Sequence, residues 1–207
     1  MLSYIRFSLI LNLSLVNLLD LVMAKQTRGS FEGTLPDTGF LKQFRHLPKL
    51  VVFDLDYTLW PYWVDTHIDL PIKKASDGTV VDRRGVKLKI FAETKKVLET
   101  LKENKILIAA ASRTQEPPAA RDMLKYFDLD KYFDFKEIYP GEKTTHFQRI
   151  KKDSNVQYED MLFFDDEKRN IVTISKINVV CFYLRGDMTM RILQEGLALF
   201  DQKRSNQ

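Results

Sequence analysis

The chain has a single cysteine, Cys181, among its 207 residues. A disulfide bond within one chain needs two cysteines, so that form of stabilisation is excluded, which is typical of proteins from a reducing compartment. Cys181 lies in the apolar run VVCFYL, where a lone cysteine usually fills the core rather than acting as a nucleophile. We therefore expect a cytoplasmic protein that depends on its hydrophobic core for stability.

Long basic runs and long apolar runs are also lacking after residue 47. The formal net charge is +4, but no cluster of lysine and arginine is large enough to form a nucleic-acid footprint. No segment in residues 48–207 is apolar for long enough to span a membrane. Internal repeats and low-complexity tracts are absent from the sequence as well. We expect a monomer that binds neither nucleic acid nor a membrane through this part of the chain.

The N-terminal segment, residues 1–46, differs from the rest of the chain. Its first half is apolar, but Asn12, Asn17 and Asp20 interrupt the apolar run. We interpret residues 1–46 as an extension, first apolar and then a poorly ordered linker of glycine, proline, threonine and mixed charge. A secretory signal or a mitochondrial presequence in residues 1–24 is the alternative, and either would change the expected location.

From residue 48 onward, short apolar runs alternate with amphipathic helical patterns. Five runs predict buried β-strands, at residues 49–55, 105–111, 132–138, 160–165 and 179–184. Each is followed by a segment whose apolar residues recur at helical spacing, namely 91–104, 117–127, 144–152, 168–177 and 188–200. This alternation predicts a doubly wound α/β domain over residues 47–202, with a five-stranded parallel sheet, and a short tail at 203–207.

Residues 61–90 break the alternation. The stretch SDGT is a strong signal for a two-residue turn, and DLPIKK and VVDRR flank it. We therefore predict a small β-hairpin after the first strand. About thirty residues are too few for an independently folded cap domain. The active site should then be open to solvent, closed at most by this hairpin, with Trp60, Tyr62 and Trp63 near its base.

Polar side chains stand where the predicted strands end. In chain order these are Asp54, Asp56 and Thr58; Ser112 and Arg113; Lys143; and Asp165 and Asp166. The carboxyl ends of parallel strands share one edge of the sheet, which is where ligands of α/β proteins bind. Carboxylates brought together repel each other unless a cation holds them, and Mg²⁺ prefers oxygen ligands and keeps several waters. The pattern thus predicts a Mg²⁺ site that accepts a phosphate group.

These groups resemble the four motifs of the haloacid dehalogenase superfamily: D-x-D-x-T, a serine after the second strand, a downstream lysine and a D-D pair. Six segments are similar in sequence to the small magnesium-dependent phosphatases of the superfamily. They are LPKLVVFDLDYTLWPYWVDTH, SDGTVVDRRG, AAASRT, FDLDKYF, EIYPGEKTTHF and FFDDEKRNI. The resemblance extends over residues 47–200 and leaves residues 1–45 uncovered. It implies a Mg²⁺-dependent phosphomonoester phosphatase with a haloacid dehalogenase-like sheet.

The chemistry of the residues and the resemblance predict the same catalytic roles. Asp54 would attack phosphorus and form an aspartyl-phosphate. Asp56 would protonate the leaving oxygen and then deprotonate water for the second step. Lys143 would neutralise the nucleophile and the transferring group. The carboxyl groups of Asp54 and Asp56 must therefore differ in pKa, although they are only two residues apart in sequence.

Substrate contacts are predicted for residues on the first two strands. Ser112 and the main-chain N–H of Arg113 would hold phosphoryl oxygens. Leu55 and Trp63 are also predicted to contact the substrate, Trp63 as an aromatic wall that favours aryl groups. Thr58 is given a supporting role, either to orient Asp56 or to satisfy the turn.

The resemblance implies a specific set of metal ligands. Mg²⁺ would be held by Asp54, the main-chain carbonyl of Asp56 and Asp166. In the superfamily the second acid of the D-D pair faces the metal, which leaves Asp165 to pair with Lys143. Consecutive strand residues point to opposite sides, so the two acids should differ in role.

The resemblance also implies a range of substrates. It suggests phosphotyrosine-type compounds and sugar phosphates, including phosphorylated ketoamine (fructosamine) adducts, either free or carried on a protein. Two alternatives stay open: a phosphotransferase or phosphomutase of the same fold, and a catalytically silent phosphate-binding scaffold. The complete set of acids, serine and lysine favours the enzyme over the scaffold.

Overall fold

A parallel five-stranded sheet is the centre of the computed structural model, which describes residues 38–206. Its strands are β1 (Leu50–Phe53), β4 (Leu107–Ser112), β5 (Phe135–Ile138), β6 (Met161–Asp165) and β7 (Val180–Tyr183). Their spatial order is β5-β4-β1-β6-β7, and every neighbouring pair is parallel. The prediction of a five-stranded parallel sheet is confirmed.

Helices cover both faces of the sheet. They are α1 (Val64–His67), α2 (Thr94–Glu103), α3 (Pro117–Tyr126), α4 (Lys143–Ser154), α5 (Lys168–Ser175) and α6 (Met190–Ser205). Short 3₁₀ turns are formed by Thr38–Gln43, Asp130–Tyr132 and Tyr158–Asp160. Within residues 38–206, no helix combines the length and the apolar character needed to cross a membrane.

The central strand β1 is apolar at every position because both of its faces are covered. In β1, Val51 and Phe53 belong to the core that packs against α2, α3 and α6. Leu50 and Val52 face the opposite way, into the core beneath α4 and α5. All four side chains are fully buried. A strand with both faces covered must be hydrophobic at every position, which is the signal that revealed it in the sequence.

The order of the strands places the carboxyl end of β1 at the point where the chain reverses direction across the sheet. From β1 the chain proceeds to β4 and β5 on one side, then crosses to β6 and β7 on the other. In doubly wound sheets a crevice opens at such a reversal, beyond the carboxyl ends of the strands. Asp54 directly follows β1, so the topology puts the first predicted acid in this crevice.

The predicted hairpin is present but small. Strands β2 (Lys73–Lys74) and β3 (Val80–Val81) pair antiparallel, and Gly78 takes a positive φ of 84° in the turn between them. Ile72 and Val80 are buried in the main core, so the hairpin packs against the domain. Helix α1 precedes the hairpin and was not predicted, because four residues are too few to show a helical period.

The folded domain extends slightly beyond both predicted boundaries. At the start, Thr38–Gln43 form a 3₁₀ turn in which Leu41 is only 2% exposed. His46 donates its main-chain N–H to Asp201 Oδ1 at 2.8 Å, so part of the predicted linker packs on the domain. At the end, α6 continues through Ser205 where a tail was predicted. The predictions for residues 1–37 lie outside the described residues.

The buried position of Leu41 leads to a stability prediction. Leu41→Ala should lower the free energy of unfolding by about 2–4 kcal/mol, because it removes a buried side chain and leaves a cavity. The same substitution at Leu47, which is 37% exposed, is the matched control and should cost about 0.5 kcal/mol or less. Chemical denaturation measures both. Equal effects at the two positions would show that the 3₁₀ turn is not part of the stable domain.

Candidate active site

A buried lysine lies between two carboxylates at the carboxyl edge of the sheet. Lys143 Nζ forms an ion pair with Asp54 Oδ1 and lies 3.1 Å from Asp165 Oδ2. It also donates a hydrogen bond to the main-chain oxygen of Ala111. Burial alone would lower the pKa of Lys143, but the two carboxylates outweigh this and raise it. The ammonium group therefore stays charged in the core.

Asp54 occupies the floor of the cavity in the crevice beyond β1. Its main-chain N–H donates to the oxygen of Phe164 at 3.0 Å, which continues the pairing of β1 with β6. Burial raises the pKa of the Asp54 carboxyl well above its usual range, and the charge of Lys143 offsets only part of that rise. Among the contacts of Asp54, the ion pair with Lys143 is the one that favours the ionised form, which is the form that can act as a nucleophile.

Asp56 is held by a different set of partners. Trp60 Nε1 donates to Asp56 Oδ1 at 2.8 Å, and the main-chain N–H of Val64 donates to Oδ2 at 3.3 Å. Burial raises the pKa of Asp56 to about 6, although both hydrogen bonds oppose the rise. A carboxyl group with this pKa exchanges its proton easily near neutral pH, as an acid that later becomes a base must do.

The side chains of two predicted site residues near Asp56 are buried. Thr58 is fully buried, and its Oγ1 has no hydrogen-bond partner among residues 38–206, so it does not orient Asp56. Its main-chain N–H donates to the oxygen of Leu55 at 3.2 Å, which places Thr58 in the turn through its backbone alone. The Leu55 side chain is buried in the core, so only its main chain could contact a substrate.

The two acids after β6 have distinct surroundings. Asp165 is fully buried, and besides Lys143 it accepts the main-chain N–H of Glu167 at 2.7 Å and the amide of Asn170 at 2.9 Å. Asp166 instead lines the cavity that holds Asp54. Burial raises the pKa of Asp166 to about 7, and the charges of Asp165 and Glu167 add to the rise. Asp165 is thus satisfied by the protein, whereas Asp166 faces the cavity.

The charge balance of the site fits a divalent cation. Four carboxylates, those of Asp54, Asp56, Asp165 and Asp166, lie at this edge of the sheet, and the buried Lys143 forms ion pairs with two of them, Asp54 and Asp165. Within residues 38–206, no three His, Cys, Asp or Glu side chains form a closed cage for a metal. Mg²⁺ does not need such a cage, because it is commonly bound by one or two carboxylates together with waters and substrate phosphate. The oxygen donors suit Mg²⁺ better than a softer metal.

Ser112 ends β4, Arg113 directly follows it, and both line the same cavity. Ser112 Oγ accepts the main-chain N–H of Thr114 at 3.3 Å. The Arg113 side chain is engaged elsewhere: its Nε donates to the oxygen of Gly141 at 2.8 Å and its Nη1 to Asn170 Oδ1 at 3.2 Å. The Arg113 guanidinium is thus already bonded to Gly141 and Asn170. The main-chain N–H of Arg113 was predicted to contact a phosphoryl oxygen, and that role does not need the side chain.

A buried histidine, His146, connects the elements of the site. His146 Nε2 lies 2.9 Å from the carbonyl oxygens of both Ser112 and Tyr139, and Nδ1 lies 3.0 Å from the oxygen of Glu142. The ring also stacks on Tyr139 with centroids 4.1 Å apart. His146 therefore links the end of β4 to the start of α4, which carries Lys143.

An aromatic cluster forms one rim of the cavity. Trp63 is 45% exposed and lines the cavity directly. The His67 ring stacks on it at 5.3 Å, and Tyr57 meets it edge-on at 5.2 Å. Tyr57 holds this position with a φ of 51°, a left-handed conformation of the kind found at functional sites. The rim is thus fixed by ring contacts before any substrate binds.

The cavity is open, and the hairpin does not cover it. Besides residues already named, its lining among the described residues consists of Asp65, Thr114, Glu167, Arg169 and Asn170. None of these belongs to strands β2 or β3, and of residues 61–90 it is Trp63 and Asp65 that line the cavity. This arrangement agrees with the predicted open site.

The sequence model of the acid phosphatase family matches residues 46–203. The chain belongs to this family. It is 51% identical over 154 residues to human Magnesium-dependent phosphatase 1, covering 74% of this chain and 88% of the human protein. A HAD-like hydrolase superfamily protein of Schizosaccharomyces pombe is 37% identical over 134 residues, covering 59% of this chain and 78% of the yeast protein.

Solved structures agree with the family in fold. A HAD-superfamily hydrolase from Ehrlichia chaffeensis superposes with a TM-score of 0.53 at 12% identity, covering 75% of this chain and 98% of that one. The predicted haloacid dehalogenase-like fold is therefore confirmed. Membership of the acid phosphatase family confirms the predicted class of enzyme, a phosphatase, over the silent scaffold. The name of the human relative agrees with the predicted need for magnesium.

Proposed function

We propose that the protein is a Mg²⁺-dependent phosphomonoester phosphatase that works through an aspartyl-phosphate on Asp54. The observation that carries the proposal is the separation of two neighbouring carboxyl groups into different environments. Asp54 is paired with a buried ammonium group, whereas Asp56 accepts two uncharged donors and has a pKa of about 6. This difference in partners supports the proposal that the first acid is the nucleophile and that the second transfers the proton.

The proposed reaction has two steps. An Asp54 oxygen attacks phosphorus, the bond to the leaving oxygen breaks, and Asp56 gives that oxygen its proton. Asp56 then takes a proton from water, which attacks phosphorus, so that inorganic phosphate leaves and the Asp54 carboxylate is restored. Lys143 and Ser112 hold phosphoryl oxygens during both steps. When bound, Mg²⁺ would be held by Asp54, the Asp56 carbonyl and Asp166, and would neutralise the charge that gathers at the phosphoryl group.

For substrates we propose aryl phosphates of the phosphotyrosine type and sugar phosphates, including phosphorylated ketoamines. Both the open cavity and the aromatic rim at Trp63 support substrates with bulky or planar leaving groups. An open site also admits phosphate groups that are carried on a protein surface. A phosphotransferase of the same fold is the remaining alternative, and it differs only in the acceptor that attacks the phospho-enzyme.

A turnover screen tests the proposal. Phenyl phosphate, phosphotyrosine, phosphoserine and sugar phosphates are each incubated with Mg²⁺, with Ca²⁺ and with EDTA, and released phosphate is measured. We expect hydrolysis with Mg²⁺, none with EDTA, and poor activity with Ca²⁺, which prefers more ligands and looser geometry. Phosphate that appears on an added alcohol or sugar in place of water would favour the phosphotransferase.

The two acids after β6 should respond differently to the same substitution. Asp166→Asn should raise the Mg²⁺ concentration needed for half-maximal activity by about tenfold or more, because it removes a proposed metal ligand. Asp165→Asn is the matched variant and should leave that concentration within about twofold, because Asp165 contacts Lys143 and the Glu167 loop. A magnesium titration of each purified variant measures this. The reverse order would contradict the assignment of the pair.

The aromatic rim should affect substrates selectively. Trp63→Ala should raise KM for phosphotyrosine about threefold to tenfold, because it removes a ring contact with the leaving group. KM for a compact sugar phosphate should change less, and Trp63→Phe, which keeps a ring, should restore most of the affinity. Steady-state kinetics with both substrates measures the difference. Equal changes for both substrates would mean that Trp63 only supports the structure.

A further inference from the structure

The acidic side chain of α1, Asp65, is bonded to a distant loop at the edge of the active site. Asp65 Oδ2 accepts the main-chain N–H of Gln115 at 3.0 Å and lies 3.4 Å from Thr114 Oγ1, which donates to it. These partners are 49 and 50 residues away in sequence. The contacts connect the segment that follows β1 to the segment that follows β4.

The loop that Asp65 holds is the one proposed to bind phosphate. Thr114 and Gln115 directly follow Ser112 and Arg113, and the Thr114 N–H donates to Ser112 Oγ. The Thr114 hydroxyl in turn accepts the N–H of Glu116 at 3.2 Å, just before α3 begins. A shift of Thr114 would therefore move the Ser112 hydroxyl within the cavity.

Helix α1 also holds the proposed general acid. Val64, the residue before Asp65, donates its N–H to Asp56 Oδ2. One short element thus contacts the acid through its backbone and the phosphate loop through a side chain. We propose that Asp65 is a positioning residue that fixes the loop Ser112–Gln115 relative to Asp56, and this inference rests on the proposed function.

Electrostatics argue against direct phosphate binding by Asp65. Its carboxylate borders the same cavity as Asp54 and Asp166, and a further negative charge there repels an incoming phosphate. Both oxygens of the side chain are already accepting hydrogen bonds, Oδ1 from Thr66 Oγ1 at 2.9 Å and Oδ2 from the loop. The Asp65 carboxylate therefore anchors the loop rather than binding phosphate.

The test compares Asp65→Ala with Asp65→Asn, whose carboxamide oxygen can still accept the Gln115 N–H. For Asp65→Ala we expect KM for phenyl phosphate, and Ki for inorganic phosphate as a competitive inhibitor, to rise together by about tenfold, the equivalent of one lost hydrogen bond to a charged group. For Asp65→Asn both constants should stay within about threefold of the wild type. Asp65→Leu serves in place of Asp65→Ala if that variant does not fold.

Asp201→Ala is the matched control at the opposite edge of the sheet. Asp201 also accepts a main-chain N–H with its side chain, from His46 at 2.8 Å. This control should lower the melting temperature without changing either constant. If Asp65→Ala also changes only the melting temperature, the positioning role is overturned in favour of plain stabilisation. If Asp65→Asn is as impaired as Asp65→Ala, the charge of Asp65 matters in itself and the inference is likewise overturned.

The binding of inorganic phosphate by calorimetry separates this inference from the proposed function. A wild-type protein that does not hydrolyse phenyl phosphate in the presence of Mg²⁺ would contradict the proposed function alone. The phosphate Kd can still be compared between wild type, Asp65→Ala and Asp65→Asn in that case. A Kd that does not differ between wild type and Asp65→Ala would overturn the positioning role whether or not the protein turns over substrate.

Discussion

Asp54→Asn is expected to lower kcat for phenyl phosphate by about 10⁴-fold or more, which is the scale of loss when an enzyme loses its nucleophile. The amide is close in shape to the carboxylate and its oxygen can still accept a hydrogen bond from Lys143, so the protein should remain folded. Asparagine lacks the negative charge that attacks phosphorus. Steady-state kinetics and thermal melting of the same preparation measure both parts of the prediction.

The control for this variant is Asp201→Asn, the same chemical change at the opposite edge of the sheet, and it should keep full activity. Beryllium fluoride provides a second check, because it mimics a phosphoryl group bound to a carboxylate. It should inhibit the wild type. Asp54→Asn protein that kept substantial turnover would indicate that water attacks the substrate directly, without an aspartyl-phosphate.

Lys143→Met is expected to damage both catalysis and stability. The substitution leaves Asp54 and Asp165 buried without their shared cation, and breaking a buried ion pair costs about 3–5 kcal/mol of folding free energy. We expect kcat to fall by about 10³-fold, because the charge that offsets the nucleophile and the phosphoryl group is lost. Chemical denaturation in EDTA and kinetics in saturating Mg²⁺ measure the two effects separately.

Lys49→Met is the matched control for stability. Lys49 Nζ lies 2.8 Å from Asp160 Oδ2, but the lysine side chain is 69% exposed. An exposed ion pair contributes about 1 kcal/mol or less, so this variant should be nearly as stable as the wild type. If Lys143→Met were no less stable than Lys49→Met, the buried carboxylates would have to be protonated in the absence of metal, and the charge balance described above would be wrong.

The fold could be predicted because its central strands are apolar over most of their length. Parallel strands buried on both faces leave a strong local signal, as in Leu50–Phe53 and in the first four residues of Met161–Asp165. Element ends were less accurate where local turns compete with strand pairing. The third strand of the sheet was predicted from residue 132, but Asp130–Tyr132 form a 3₁₀ turn and the strand begins at Phe135.

The acids and the lysine of the site could also be predicted, because they directly follow the strands that bring them together. Their supporting residues could not. Asp65, His146 and Trp60 lie within the segments that carry the family resemblance, but their hydrogen bonds reach partners whose positions are set by tertiary packing, and no periodicity shows these contacts. Thr58 was predicted either to orient Asp56 or to satisfy the turn. Its main-chain contact with Leu55 agrees with the second role, and its buried hydroxyl has no hydrogen-bond partner among residues 38–206.

The central claim is that Asp54 becomes phosphorylated during turnover, and chemical trapping tests it most directly. Wild-type protein is mixed with phenyl phosphate and Mg²⁺, quenched in acid within the first turnover, and treated with borohydride, which reduces an aspartyl-phosphate to homoserine. Peptide mass spectrometry should then find homoserine at position 54, and find none in Asp54→Asn protein or without substrate. Unmodified Asp54 in protein that is releasing phosphate, or a label on another residue, would contradict the proposed mechanism.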